Sequence, residues 1–304
     1  MYGYSGKILH IDLKTQKTWI EEKPEEWYKL WIGGVSMATR LCWENITPGC
    51  DPYSPENPVC IANGIFTGTP VPVGGKFGMA DKSPMTGFIG DSLSGSWFSI
   101  ALKRAGWDGI VIHNQSDSWV NVFIDDDHVE FLDATYLLGK GTYETEEAIR
   151  EKLGDEQIRS CTIGPCGEHG VRFANVTNDG RQAGRTGHGS VWASKKLKAL
   201  SVRGTKGVRV YDPQTLMQLS YDISKAAQGE HTAKYRIYGT ATGMKNSSAM
   251  GVLPTRNFQE GVFEDIDLIS GEYLDEHHKV KVISCAQCPI ACEQMSIVKT
   301  GPFA

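Results

Sequence analysis

The stretch GRQAGRTGHGSVWASKKLKALSVRGTKGV, residues 180–208, sets Gly184, Gly187 and Gly189 ahead of a helix predicted from about Ser190 to Lys198. Backbone N–H groups and the positive end of the helix dipole would face whatever lies above that loop, with Arg181 and Arg185 beside it, which is the outline of an anion site. The glycine order is G-x-x-G-x-G, the reverse of the dinucleotide fingerprint, and no ribose-binding acid follows at the spacing a βαβ unit needs, so a Rossmann domain is a poor reading. A glycine-rich turn without a ligand is the other reading of the same residues.

Outward from it, a second stretch of similar character, GGKFGMADKSPMTGFIGDSLSGSWF over 74–98, is rich in Gly, Ser and Thr and carries Lys76. Two such loops suit a pseudo-symmetric domain holding two copies of one anionic ligand, although no internal repeat shows in the sequence. Around them the pattern is mostly short strands. KILHIDL and TQKTWIEE alternate as an opening hairpin, PVCIANGIFTGT over 58–69 reads as a buried strand, and GIVIHNQ, VNVFIDD and HVEFLD add three more. Helices are predicted over 25–44, with a break at Gly33-Gly34 that reads best as a helix start, over SWFSIALKRAG to Gly106, and near 143–153. Trp97 and Trp107 are expected in the core, and His188 as a loop side chain. Glu168 would either orient a loop or touch a ligand. From Asp212-Pro213, a good helix start, the pattern turns helical. The predicted domains are a β-rich 1–210 and a helical 211–304, an α+β fold.

The chain has 304 residues, 40% hydrophobic and 22% charged, with a net charge of −5. These values describe a globular protein of two domains and give no basic footprint for nucleic acid or an anionic membrane. The start MYGYSGKILHIDLKTQ has no basic n-region followed by an apolar core, and no run of about 18 apolar residues occurs, so a cytoplasmic location is expected. Of the eight cysteines, Cys42, Cys50, Cys60, Cys161 and Cys166 are expected as reduced, buried small side chains. The other three stand in SCAQCPIAC as C-x2-C-x3-C: Cys285, Cys288 and Cys292. Three ligands of a [4Fe–4S] cluster, part of a zinc site, or simple packing all remain open from the spacing. The run ends 12 residues before the last residue, so the fourth ligand is expected from a remainder of the polypeptide or another subunit. The adjacent Glu276, His277 and His278 point in different directions on a helix and read as solvated surface.

Six pieces in order, KSPMTG (82–87), LKRAGWDGIVI (102–112), IGPCGEHG (163–170), AGRTGHGSVWASKKLKAL (183–200), LPTRNFQEG (253–261) and SCAQCPIAC (284–292), resemble the aldehyde ferredoxin oxidoreductase family of tungsten or molybdenum enzymes. The match spans almost the whole chain and covers roughly the first half of a full-length member. The resemblance implies an N-terminal domain of two β-sheets sandwiching two pyranopterins, whose dithiolene sulfurs hold one metal and whose phosphates are bridged by Mg2+, followed by a mainly helical domain with a [4Fe–4S] cluster. Lys76 falls where the family usually has an arginine, keeping the charge and losing the fork of donors. Leu93, Ser94, Gly95, Gln182, Ala183, Gly184 and Arg185 match positions that hold the pterin phosphates and the magnesium; Leu93 stands for an expected asparagine and Gln182 for a common arginine. Cys285, Cys288 and Cys292 match the cluster ligands. No catalytic residue is assigned. The implied reaction is oxidation of an aldehyde to a carboxylic acid, with electrons passing through the cluster to ferredoxin or a ferredoxin-like iron–sulfur subunit, in a possible homodimer. An aromatic acyl-CoA reductase subunit and a split, cofactor-carrying electron-transfer subunit are the alternatives.

Overall fold

The computed structural model describes residues 1–302, which fall into two compact units, Met1–Leu216 and a second from Met217 onward.

In the first unit, β1 (Lys7–Asp12) and β2 (Lys17–Glu22) form the opening hairpin, whose turn is held by the Asp12 carboxylate accepting from the amides of Lys14 and Thr15. Helices α1 (Glu25–Trp31) and α2 (Gly34–Asn45) divide the predicted single helix at Gly33, so Gly33-Gly34 is a helix start. Then follow β3 (Val59–Asn63), β4 (Lys76–Lys82), β5 (Ile89–Gly95), α3 (Trp97–Ala105) and β6 (Gly109–His113). The sheet order is β2-β1-β6-β3-β4-β5, with β1 and β6 parallel. The chain then runs through β7 (Val120–Asp125), β8 (His128–Asp133), α4 (Thr142–Leu153), β9 (Arg159–Thr162), the short α5 (Pro165–Glu168), β10 (Val176–Asn178), β11 (Arg181–Ala183), α6 (His188–Ser194) and β12 (Leu197–Arg203). This second sheet is ordered β8-β7-β12-β9-β10-β11, with β7 and β12 parallel.

Strand for strand, the second sheet repeats the first. Each has an opening hairpin, a covering helix, a central strand, a second hairpin, a helix, and a return strand parallel to the first. Burial follows the same plan. Phe77, Phe98, Trp107 and Ile110 from the first half and Ile124, Ile163, Trp192 and Leu200 from the second belong to one continuous core. On its other face the first sheet is covered by α2, with Leu41 against Cys60 and Val111, and the second by α4, with Ile149 against Ile158 and Ala199. A strand buried on both faces reads as a nearly continuous apolar run, and β3, VCIAN, is buried at every position, its one polar residue, Asn63, donating its side-chain amide to the Trp107 carbonyl. Each such side chain contributes roughly 1.5–3 kcal/mol on burial. Gly78 lets α2 approach β4, since a Cβ there would lie 2.3 Å from the Val35 amide nitrogen.

Several expectations are corrected here. The glycine-rich stretch around Lys76 is the β4–β5 hairpin, because Phe77 and Met79 give it a core-facing alternation that outweighs its glycines. The helix expected over Ser190–Lys198 ends at Ser194, and Leu197 already begins β12, whose apolar residues are needed in the sheet. Trp107 is core, but Trp97 at the start of α3 is 46% exposed. Cys42, Cys60 and Cys161 are buried as expected, whereas Cys50 is half-buried and Cys166 exposed.

Leading into the second unit, α7 (Pro213–Ala227) is capped by Asp212, which accepts from the amide and hydroxyl of Thr215. The second unit continues with α8 (Glu230–Tyr238), α9 (Met244–Ala249), α10 (Ile266–Ile269) and α11 (Gly271–His277), and then a hairpin of β13 (Lys279–Ile283) and β14 (Glu293–Ser296). The cysteine motif therefore lies on a hairpin loop. Glu276 and His277 are exposed and His278 half-exposed.

Candidate functional site

Because the two halves repeat, their second hairpins stand in equivalent places, and β5 and β11 are the edge strands that meet. Ser92 on β5 bridges the Arg185 backbone: its hydroxyl accepts from the Arg185 amide at 3.0 Å and faces the Arg185 carbonyl at 3.3 Å. Two residues on, the buried Asn178 donates to the Ser94 hydroxyl at 2.9 Å. These contacts bring residues 93–95 beside 182–185, so the two stretches singled out by sequence, some 90 residues apart, form one region.

Within it, Lys76 pairs with Gly95 across the β4–β5 ladder, and a Cβ on Gly95 would lie 2.9 Å from Lys76 Nζ, so glycine makes the cradle in which that ammonium rests. The Lys76 carbonyl is fixed by Gly64 N and the Thr67 hydroxyl, which anchors the strand start. Leu93 is exposed between the buried Ser92 and Ser94. On the other side Ala183 is buried opposite Val176, the Gln182 and Asn175 amides bond at 2.6 Å, and Gly184 is exposed, where a Cβ would meet Asn175 and Gln182 at 3.7 Å, ordinary contact. The Arg185 side chain is exposed and forms no ion pair among the described residues.

The glycines of the loop divide by role. Gly187 and Gly189 serve close packing, since a Cβ would fall 2.0 Å from the Arg172 carbonyl oxygen and 2.5 Å from that of Asn175. Gly184 alone of the three is exposed, with no neighbour closer than 3.7 Å to where a Cβ would stand. The amides of Arg185 and Gly189 are already committed, to Ser92 and to Ala174, so the loop offers an anion fewer N–H groups than its glycine content suggests.

Sequence reading missed the turn that holds this region together. Asn178-Asp179-Gly180-Arg181 turns the β10–β11 hairpin with Asp179 and Gly180 at positive φ, and the Asp-Gly pair is the signal that could have shown it. Asp179 accepts from the Trp97 amide at 3.1 Å at the start of α3, and its own amide donates to the Glu146 carboxylate. Burial, and then the charge of Asp179, push the Glu146 carboxyl up to about 8 against the opposing Arg150; burial also raises Asp179. His188, expected as a loop side chain, is fully buried against Asp81. Glu168 orients a loop: it is paired with the buried Lys198 and accepts from the Gly139 amide.

In the second unit, Cys285, Cys288 and Cys292 lie on the loop closed by the Ile283–Glu293 pair; all three are half-buried and none forms a disulfide. Gln287 and Ala291, each one residue before a cysteine, have positive φ, turning the chain before Cys288 and Cys292. Among the described residues no three His, Cys, Asp or Glu side chains converge on a single ion. No helix among the described residues is long and apolar enough to cross a membrane.

Comparison with known proteins gives a consistent answer. The family model for the aldehyde ferredoxin oxidoreductase N-terminal domain matches residues 8–204, and that for aldehyde ferredoxin oxidoreductase domains 2 and 3 matches residues 218–304. A tungsten-containing aldehyde ferredoxin oxidoreductase of Thermococcus kodakarensis is 41% identical over 303 residues, covering 99% of this chain and 50% of that protein. One from Pyrococcus furiosus is 38% identical with the same coverage, and the WOR-like subunit of an aliphatic sulfonate oxidoreductase from that organism is 30% identical over 100% of this chain and 51% of its own. Among solved structures, the active site complex BamBC of benzoyl coenzyme A reductase, in complex with 1,5-dienoyl-CoA, superposes with a TM-score of 0.84 at 27% identity, covering 99% of this chain and 48% of that one. The chain thus spans about half the length of the relatives it matches.

Proposed function

This chain belongs to the aldehyde ferredoxin oxidoreductase family, and from that premise we propose that it is the pterin- and cluster-binding part of a tungsten oxidoreductase that converts an aldehyde to a carboxylic acid. The carrying observation is the meeting of two equivalent strand-to-helix turns, 93–95 and 182–185, with Lys76 on one side and Arg185 on the other. A pseudo-symmetric pair of cationic turns matches a ligand that is itself a pair, two pyranopterins with their phosphates. The Lys76 ammonium resting on Gly95 and the exposed Gly184 and Arg185 are the groups that would hold those phosphates at the two turns.

When bound, the tungsten centre supplies the two-electron chemistry, taking two electrons from the aldehyde carbon while water contributes the oxygen of the acid. The chain's own residues bind and orient. Lys76 and Arg185 would neutralise phosphate charge, Ser92 and Asn178 fix the two turns against each other, and Cys285, Cys288 and Cys292 would hold a [4Fe–4S] cluster as thiolates. Ferredoxin or a ferredoxin-like subunit would be the electron acceptor. The similarity to the benzoyl coenzyme A reductase complex favours a second reading, in which the same scaffold runs reductively on an acyl-CoA.

Metal analysis of anaerobically purified protein tests the first step. Tungsten or molybdenum together with phosphorus and about four irons is the expected composition, and Cys288→Ser should lower the iron while leaving tungsten in place. Zinc alone, or iron with neither heavy metal, overturns the reading.

A further inference from the structure

Beneath the 182–187 turn lies a buried set of charges that neither the family resemblance nor the cofactor reading uses. Asp81 on β4 and His188 at the start of α6 are both fully buried and bonded, Oδ2 to Nδ1 at 2.7 Å. His188 Nε2 stands 3.2 Å from the Thr186 hydroxyl, and that hydroxyl is 2.8 Å from the Arg185 carbonyl oxygen. Thr186 also has φ +63°, a region that a β-branched residue enters only at a cost, and the Ser83 hydroxyl donates to its carbonyl at 2.7 Å.

The protons can be counted. The Thr186 hydroxyl has one proton and two acceptors in reach, the Arg185 carbonyl oxygen and His188 Nε2; with the proton on the shorter contact, to Arg185, Thr186 Oγ1 accepts from His188 Nε2–H. The Asp81 carboxylate only accepts, so His188 Nδ1 carries a proton as well. A ring with both N–H groups is an imidazolium. The other Asp81 oxygen is buried without a partner, which is costly for an anion unless cations stand near it. Lys195 is the second cation. It is fully buried, donates to the carbonyls of Pro55 and Asn114, is pulled down to about 8 by burial, and is charged at neutral pH. The other titratable neighbours are the Cys60 thiol, which burial pushes well up and keeps neutral, the Cys42 thiol beside it, and Cys50 and Glu56 near Lys195. Asp81 thus faces two cations, of which His188, in contact with Thr186, lies under the turn, while Lys195 also has the Glu56 carboxylate near it.

We propose that His188 is a positioning residue: a buried imidazolium anchored on Asp81, which holds Thr186 in its strained conformation and places positive charge below the anion loop at Arg185. The inference rests on the anion-loop reading above, but its core, the charge state of His188, is measurable without any cofactor. Nitrogen NMR of the full chain labelled with 15N-histidine, purified from medium lacking tungsten and molybdenum, should show both His188 nitrogens protonated at pH 7, and one of them deprotonated in Asp81→Asn. Titration of the same protein with magnesium and inorganic pyrophosphate should show binding weakened roughly ten-fold in Thr186→Val and His188→Gln, the loss of one charge-assisted interaction, with Thr186→Ser restoring it. A neutral His188 in the unsubstituted protein overturns the inference and leaves the anion loop standing. Unchanged affinity in both variants overturns it too. Failure of the unsubstituted protein to bind pyrophosphate instead sinks the anion-loop reading and, with it, the loop-holding part of this one.

Discussion

The two units of the chain bury their apolar residues very differently. In the first, a single core runs between two sheets, and Trp107, Trp192, Phe77 and Phe98 are all within 1% of complete burial. In the second, large apolar side chains stand in the open, among them Met217 on α7 at 58% and Phe258, between α9 and α10, at 81%. Local signals account for the helices there: Asp212 and Ser270 cap α7 and α11, and Gly239 follows α8. The lesson is that the first unit owes its structure to tertiary burial and the second to capping and periodicity, which fix helices without fixing what lies against them.

The sharpest way to break this comparison is a pair of truncations. Trp192→Ala should cost about 3–5 kcal/mol in denaturant unfolding, as large core deletions do, while Met217→Ala on α7 should stay within about 0.5 kcal/mol. Equal effects would show that α7 is buried in solution. Of intermediate size is the pH response of the first unit. Glu146, at about 8 in the folded protein against 4.5 unfolded, keeps a proton that the unfolded chain releases, so stability should fall as pH rises from about 4.5 to 8 and level off above, with Asp179 acting in the same direction. Chemical denaturation at several pH values checks this, and Glu146→Gln should flatten the curve; a slope that survives the substitution would place its origin elsewhere. The finest discrimination comes from hydrogen exchange. Amides of β3, β6 and β12 should exchange only through global opening, and those of α8 and α9 much sooner. Comparable protection in both units would contradict the division.

Much of this was legible in the chain itself. Hydrophobic patterning located the opening hairpin and β3, β6, β7 and β8, the Asp212-Pro213 step marked the start of α7, and six ordered motifs pointed to the family. Residues 93–95 and 182–185 were singled out from sequence alone, and the structure brings them side by side.

What only the tertiary structure decided was partnership. The two sheets repeat each other in strand order while sharing no visible sequence repeat, because topology is carried by backbone hydrogen bonds, which any apolar strand can make. The hairpin at Lys76 passed for a loop because its glycines, among them Gly78 in close approach to α2 and Gly90 beside Thr186, mask the alternation of its strands. Gly187 and Gly189 looked like ligand-facing residues and are packing residues; a glycine does not announce which backbone it approaches. Ser92 with Arg185, Asn178 with Ser94, and Asp81 with His188 each join residues 84 to 107 positions apart. Capping and periodicity act over a few residues, so the sequence by itself determined the elements and the family, and the fold chose which polar side chains would meet across them.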